Sequence, residues 1–272
     1  MNISAKEVNK LRQATGAGMM DCKKALVEAE GNFDEAIAIL RKKGQKVSEK
    51  RADRDAKEGV IATALTEDKK TAAIVEVNCE TDFVARNEEF QAFAQSVANL
   101  VLAAQPDSME TLQATTLEGI TVAEKLSEMT GKIGEKIDIR RFEIASASGA
   151  VVSYIHPGSR LGVLVELTAD NEEAGRDVAM QVAALDPIAL HADQVSDEIK
   201  YREMDIARDR AINEGKPENI VDRIAQGALN SFFKERVLLD QAFVKDPKQT
   251  VAQMLKKAEV DVVKFVRFVL GG

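Results

Sequence analysis

Along the first 45 residues apolar positions recur at intervals of three and four, the period of helices with one buried face. Ser4 followed by Glu7 has the spacing of a capping box, and Val8 and Leu11 carry a first helix to a stop at Thr15-Gly16-Ala17-Gly18. A second helix runs through Cys22, Ala25, Leu26 and Ala29 to Gly31. Asn32 with Glu35 opens a third, which carries Phe33, Ala36, Ile37 and Leu40 on one face and places Gly44 past its end. Residues 1–45 thus read as a three-helix mini-bundle, whose small core is marginal alone. Residues 46–57 follow as a basic helical linker. The Lys and Arg that crowd the chain from Arg41 to Lys57 alternate with Glu49, Asp53 and Asp55. They read either as a solvated face or as an electrostatic strip for an acidic partner.

After Glu58 the hydrophobic period falls to two. Gly59-Val60-Ile61-Ala62-Thr63-Ala64-Leu65 and Thr71-Ala72-Ala73-Ile74-Val75-Glu76-Val77 predict two strands joined by a polar turn. Residues 88–104 predict a helix with Phe90, Phe93, Val97 and Leu100 on its apolar stripe, and residues 122–129 another. Ile137-Asp138-Ile139-Arg140-Arg141-Phe142 closes the unit as a strand. The same order then recurs. Gly149-Ala150-Val151-Val152-Ser153-Tyr154 and Gly162-Val163-Leu164-Val165-Glu166-Leu167 match the strands, and Asn171-Glu172-Glu173 matches Asn87-Glu88-Glu89. Thr250-Val251-Ala252-Gln253 echoes Thr121-Val122-Ala123-Glu124, and Phe265-Val266-Arg267-Phe268 echoes the closing strand. The pattern is that of a duplicated β-β-α-α-β unit in an α+β chain. Its subdomains are residues 58–145 and, interrupted, residues 146–186 with 231–272.

Two departures from the repeat carry functional weight. Between strand and helix the first copy is six residues longer, within Cys79-Glu80-Thr81-Asp82-Phe83-Val84-Ala85-Arg86. In the second copy residues 187–230 are inserted. Two polar helices there, broken at Gly215-Lys216-Pro217, predict a projecting antiparallel hairpin. Its sparse stripe of Ile199, Met204, Ile206, Ile212, Ile220, Ile224 and Leu229 suits packing on itself, with some left for a second copy of the chain.

Composition narrows the chemistry. The net charge of -8 over 272 residues argues against nucleic acid as a direct partner. Two cysteines, Cys22 and Cys79, lack CxxC spacing and read as reduced thiols of a cytoplasmic protein. The sequence shows no signal peptide and no apolar run long enough to span a membrane. With His156 and His191 as the only histidines, most histidine-based metal sites are excluded. Gly16-Ala17-Gly18-Met19-Met20-Asp21 is not a phosphate-binding loop, and no P-loop occurs elsewhere. Glu80 and Asp82 read as solvated loop acids, and Cys79 with His156 is a poor nucleophile–base pair. The expectation is a protein that is not an enzyme and has no cofactor.

Binding features are more distinct. Met19 and Met20 stand beside a glycine turn, and adjacent methionines on a helix cannot both face one small core; one is expected to pack and one to look outward. Phe83 lies in the six-residue extension, where it either plugs the core beneath its own loop or enters a partner's pocket.

The segment Leu11-Arg12-Gln13-Ala14-Thr15-Gly16-Ala17-Gly18-Met19-Met20-Asp21-Cys22-Lys23-Lys24-Ala25-Leu26 resembles the amino-terminal signature of the elongation factor Ts family. Glu76-Val77-Asn78-Cys79-Glu80-Thr81-Asp82-Phe83-Val84-Ala85 resembles its second signature. The similarity extends through His156, Gly158, Arg160 and Gly162 to Phe243-Val244-Lys245-Asp246-Pro247. It implies a ubiquitin-associated-like amino-terminal bundle and a guanine nucleotide exchange factor that releases GDP from elongation factor Tu. Asp82 and Phe83, flanked by Thr81 and Val84, would press between two helices of the partner's G domain near its magnesium. Arg12, Met19, Met20 and Lys23 would grip another G-domain helix, and His156 would serve the second subdomain's contact. The sequence departs from longer members at Gly271-Gly272, where those continue into a carboxy-terminal helical module, and at Pro157, which follows His156. Two other classes stay open on the residues alone: an adaptor built on the mini-bundle, and an enzyme housed between the repeats.

Overall fold

The computed structural model describes residues 3–271; Met1, Asn2 and Gly272 of the segments read above lie outside the described residues. Helix α1 (Ala5–Thr15) begins with the expected capping box, the Ser4 hydroxyl accepting from the Glu7 N–H and the Glu7 carboxylate from the Ser4 N–H. It ends where Gly16 takes the left-handed conformation, at φ 65°, which lets its N–H reach the Arg12 carbonyl. Helix α2 (Met19–Glu28) packs beside it. Val8, Leu11, Cys22, Ala25, Leu26, Ala29 and Ala36 form the buried centre of the bundle.

Helix α3 (Phe33–Arg51), capped by Asn32, does not stop at Gly44. It runs on for seven residues through half of the segment read as a linker. Gly44 is buried inside the helix because the backbone of a later helix crosses there, so the residue serves close approach rather than termination. Only residues 52–57 connect α3 to the sheets.

Strands β1 (Glu58–Leu65) and β2 (Thr71–Cys79) form an antiparallel hairpin. Next come α4 (Asp82–Ala85), α5 (Glu88–Ala104), α6 (Met109–Ala114), a two-residue ribbon of β3 (Thr116–Leu117) and β4 (Ile120–Thr121), and α7 (Val122–Ile133). Strand β5 (Ile137–Ser146) returns antiparallel to β2, giving the order β1-β2-β5. The second sheet has β6 (Ala150–Ile155), β7 (Leu161–Leu167), then α8 (Glu172–Leu185), α9 (Asp197–Asn213), α10 (Glu218–Arg236), β8 (Ala242–Phe243), β9 (Asp246–Thr250), α11 (Val251–Lys257) and β10 (Val262–Val269). Its order β6-β7-β10 repeats that of the first.

The likeness extends to individual side chains. Asn87 and Asn171 cap α5 and α8 with their side-chain oxygens, and Thr121 and Thr250 open α7 and α11 with capping boxes closed by Glu124 and Gln253. Each sheet buries its outer face under its own helices: Phe90, Phe93 and Val97 of α5 on the first, Val178 and Val182 of α8 on the second. The inner faces meet through Ile61, Ile74, Val151, Leu164, Val266 and Phe268. They approach so closely at Gly162 that a Cβ there would stand 2.6 Å from Ile61 Cγ2. The architecture is therefore α+β, with helices outside two apposed antiparallel sheets.

The inserted hairpin forms, but its seam differs from the expected isoleucine stripe. Ala211, Val221, Ala225 and Leu229 are buried between α9 and α10, while Ile206 and Ile212 are exposed. Ala211 and Ala225 let the two helices approach, Leu229 of the expected stripe packs with Val221 beside them, and Ile206 and Ile212 point away.

Candidate functional site

Phe83 is 81% exposed, the most exposed large apolar side chain among the described residues. The extension that carries it is not a loop but the single helical turn α4. Thr81 is its cap, with the Val84 N–H donating to the Thr81 hydroxyl at 3.4 Å. On one turn successive side chains diverge: Ala85 is buried, Val84 packs against the first core, and Phe83 faces outward. Asp82, 44% exposed at its side chain, pairs with Arg86 at 3.0 Å. The core beneath the turn is thus filled by Val84 and Ala85, and Phe83 does not plug it.

The residues before this turn are tied down. The Thr81 N–H donates to Glu135 Oε2 at 3.0 Å and its hydroxyl to Glu135 Oε1 at 2.8 Å. The Cys79 thiol donates to the Thr81 carbonyl at 3.1 Å. Burial, reinforced by the nearby Glu135 charge, pushes the Cys79 thiol up to about 12, which favours the protonated form that donates to Thr81.

Glu80 is not the solvated loop acid expected from the sequence; its side chain is only 15% exposed. It accepts from Arg51 Nη1 at 2.6 Å and from the Lys136 N–H at 2.7 Å. Burial opposes its ionisation, yet those two donors outweigh it and hold the carboxyl below its ordinary range. Lys136 Nζ in turn donates to the carbonyls of Ala52 and Arg54 just past α3. The end of the basic stretch is therefore docked against the base of the Phe83 turn, not free in solvent.

His156 lies in the β6–β7 turn, exposed, with Nδ1 2.9 Å from the Tyr154 hydroxyl. Pro157 is accommodated: the turn closes through the Ser159 N–H donating to the His156 carbonyl, with Gly158 and Ser159 at positive φ. The Ile61 N–H donates to the Ser159 carbonyl at 2.7 Å, which places this turn on β1, the strand that α4 also contacts. Arg160 is ion-paired with Glu58, whose hydrogen bond raises its pKa; the charge of Asp82 adds to the shift. The two sheets thus bring the His156 turn and the Phe83 turn to one strand.

The bundle offers its own outward face. Met19 and Met20 are 57% and 63% exposed, so neither packs inward, contrary to the expectation of one buried methionine. Cys22, Ala25 and Leu26 already fill the small core. Arg12 on α1 and Lys23 on α2 are exposed, and Val27, one helical turn beyond Lys23, extends the apolar surface. Sequence reasoning missed Val27, Glu135, Arg51 and the Glu58–Arg160 pair. Val27 was legible from its spacing; the others join segments that no local pattern connects.

Among the described residues no group of three or more His, Cys, Asp and Glu is placed to hold a metal ion, and no helix is long and apolar enough to cross a membrane. Both cysteines are buried and unpaired. Large apolar side chains are turned outward on short, well-anchored elements instead of being gathered into a cleft.

Fold and surface define an α+β protein that presents anchored apolar side chains outward. The chain belongs to the elongation factor Ts family: the model of that family, described as "Elongation factor TS", matches residues 80–272. Elongation factor Ts of Amoebophilus asiaticus is 50% identical over 277 residues, covering all of both chains. That of Christiangramia forsetii is 49% identical, covering 99% of each. That of Hydrogenovibrio crunogenus is 47% identical over all of this chain and 92% of its own. Membership assigns the protein to the elongation stage of translation.

Proposed function

We propose that this chain is the guanine nucleotide exchange factor of elongation factor Tu, working by partner distortion and not as an enzyme. The observation that carries the reading is Phe83, a large apolar ring held outside the protein on a turn whose base is fixed. Inserted between two helices of the G domain near the bound magnesium, Phe83 fills an apolar pocket while Asp82, Thr81 and Val84 set the edge of the contact. Magnesium and phosphate coordination loosen, GDP leaves, and GTP can enter. Arg12, Met19, Met20 and Lys23 grip another helix of the same domain, and His156 extends the contact from the second sheet.

Such a mechanism needs no acid, base, metal or cofactor of its own, because it consists of binding the nucleotide-free state more tightly than the GDP-bound one. The coupling is reciprocal: GDP weakens the factor's grip as much as the factor weakens GDP's. In this reading the amino-terminal bundle is ubiquitin-associated-like and the two sheet units are copies of one β-β-α-α-β unit. The α9–α10 hairpin offers Tyr201, Ile206 and Ile212 to a second copy of the chain. The protein acts in the cytoplasm, apart from membranes and without direct contact to nucleic acid.

The test is release of a fluorescent GDP analogue from elongation factor Tu. Wild-type chain should accelerate release, and Phe83→Ala should lose about thirtyfold in affinity, the equivalent of about 2 kcal/mol for a truncated anchor. Equal acceleration by Phe83→Ala and wild type would overturn the assignment of the ring.

A further inference from the structure

We propose that Glu135 is a positioning residue for the exchange surface: by holding Thr81 at two points it fixes the direction in which Phe83 leaves the protein. The inference rests on the function proposed above and deepens it. All three polar groups of Thr81 are engaged from outside its own turn, the N–H and hydroxyl by the two oxygens of Glu135 and the carbonyl by the Cys79 thiol. Thr81 is also the cap of α4, so its position sets the start of that helix.

A single helical turn has too few hydrogen bonds to hold itself. Helix α4 has four residues, and its internal support is the Ala85 N–H to the Thr81 carbonyl at 3.2 Å, the Arg86 N–H to the Asp82 carbonyl at 3.1 Å and the long 3.4 Å contact of the cap. Its direction must therefore be imposed from outside. Glu135 comes from the short connection between α7 and β5, fifty-four residues along the chain, and belongs to a frame already fixed on both sides. On one side α7 ends at Gly134 in the left-handed conformation; on the other Ile137 is paired with Cys79 in the sheet. The neighbouring Lys136 N–H holds Glu80. Three consecutive residues of the protruding strand end, Cys79, Glu80 and Thr81, are thus gripped by the 135–137 connection.

Positioning matters here because a flexible anchor loses conformational freedom on entering a pocket, whereas a pre-set one does not. Charge-assisted hydrogen bonds such as those to Glu135 are the stronger kind, which suits them to hold a turn that bears load. Glu135 itself need not touch the partner.

The experiment compares Glu135→Ala, Thr81→Val and Thr81→Ser in the full chain, each alone and combined with Phe83→Ala, at one subsaturating factor concentration with elongation factor Tu loaded with fluorescent GDP. Glu135→Ala and Thr81→Val should each lower the release rate at that concentration about tenfold, the equivalent of about 1.4 kcal/mol, and Thr81→Ser, which keeps the hydroxyl, should restore it. In the Phe83→Ala background neither should cost anything further, since the residue they aim is gone. Wild-type rates in Glu135→Ala and Thr81→Val overturn the proposal, as does a loss of the same size with and without Phe83, which would mark a general structural role. Should Glu135→Ala fail to fold, Glu135→Gln, which keeps one acceptor oxygen for Thr81 but loses the second and the charge, takes its place with the same expected direction, and a wild-type rate in it overturns the proposal. A Phe83→Ala protein with undiminished activity would sink the functional reading as well, whereas a slow Phe83→Ala beside a fast Glu135→Ala would sink only the role of Glu135.

Discussion

Gly131 of α7 lies against Gly44 of α3 so closely that a methyl group on Gly131 would stand 2.5 Å from the Gly44 Cα. Two helices from different units of the chain cross there backbone to backbone, and the contact joins the amino-terminal bundle to the first sheet unit.

Helix propensity alone favours Gly131→Ala by about 1 kcal/mol. The clash is with backbone, which cannot swing aside, so the net expectation is destabilisation by about 1–3 kcal/mol. Gly44→Ala should cost less, because its nearest neighbour, the Ser127 carbonyl oxygen, is 3.1 Å from the new carbon. Urea unfolding of the two variants checks the order; equal or increased stability in Gly131→Ala would contradict the crossing.

Phe83→Ala should leave the fold intact. The ring is 81% exposed, and substitutions of that kind usually stay within about 0.5 kcal/mol. A denaturation midpoint matching wild type, alongside the loss of exchange, separates a binding role from a structural one. A drop of about 2 kcal/mol would mean that the ring packs on its own protein.

Glu76 is fully buried at the centre of the first sheet, paired with Arg141 at 2.8 Å across β2 and β5 and further bonded to Asn78 and the Gly271 N–H. Arg141 also lies over the Phe268 ring and donates to the Val269 carbonyl, so one ion pair fastens the end of the second sheet to the first. Arg141→Met leaves the Glu76 carboxylate without its counter-charge. The expected cost is about 3 kcal/mol, read from a thermal or urea melt.

Glu166 holds the matching place in the second sheet, opposite Lys264. Burial raises its pKa, the Glu143 charge adds to the shift, and Lys264 only partly offsets it. A carboxyl raised in the folded state favours folding while protonated, and that contribution is lost as pH rises from below its ordinary value of 4.5 through the raised one. Glu166→Gln, which cannot ionise, should therefore gain on wild type as pH climbs from 4 towards 7. Melting curves at both pH values check this; a gap that shrinks with rising pH would show the opposite shift.

Much was legible in one dimension. Local periods and caps are properties of neighbouring residues, so the helices of the bundle, the strands and the paired caps at Asn87 and Asn171 or Thr121 and Thr250 could be read without coordinates. The repeat and the two signature segments followed from the same text, and with them the family. What the sequence could not settle was orientation. Whether Gly44 ended a helix or let one pass, whether Phe83 faced its own core, and whether Glu80 was solvated all depend on segments far apart in the chain. The answers came from Gly131, from Val84 and Ala85 filling the space beneath the turn, and from Arg51 and Lys136. Periodicity says which residues prefer burial, but only the packed fold decides what occupies the space beside them. For that reason the sequence named the apolar side chains, and the tertiary structure chose which of them to leave outside.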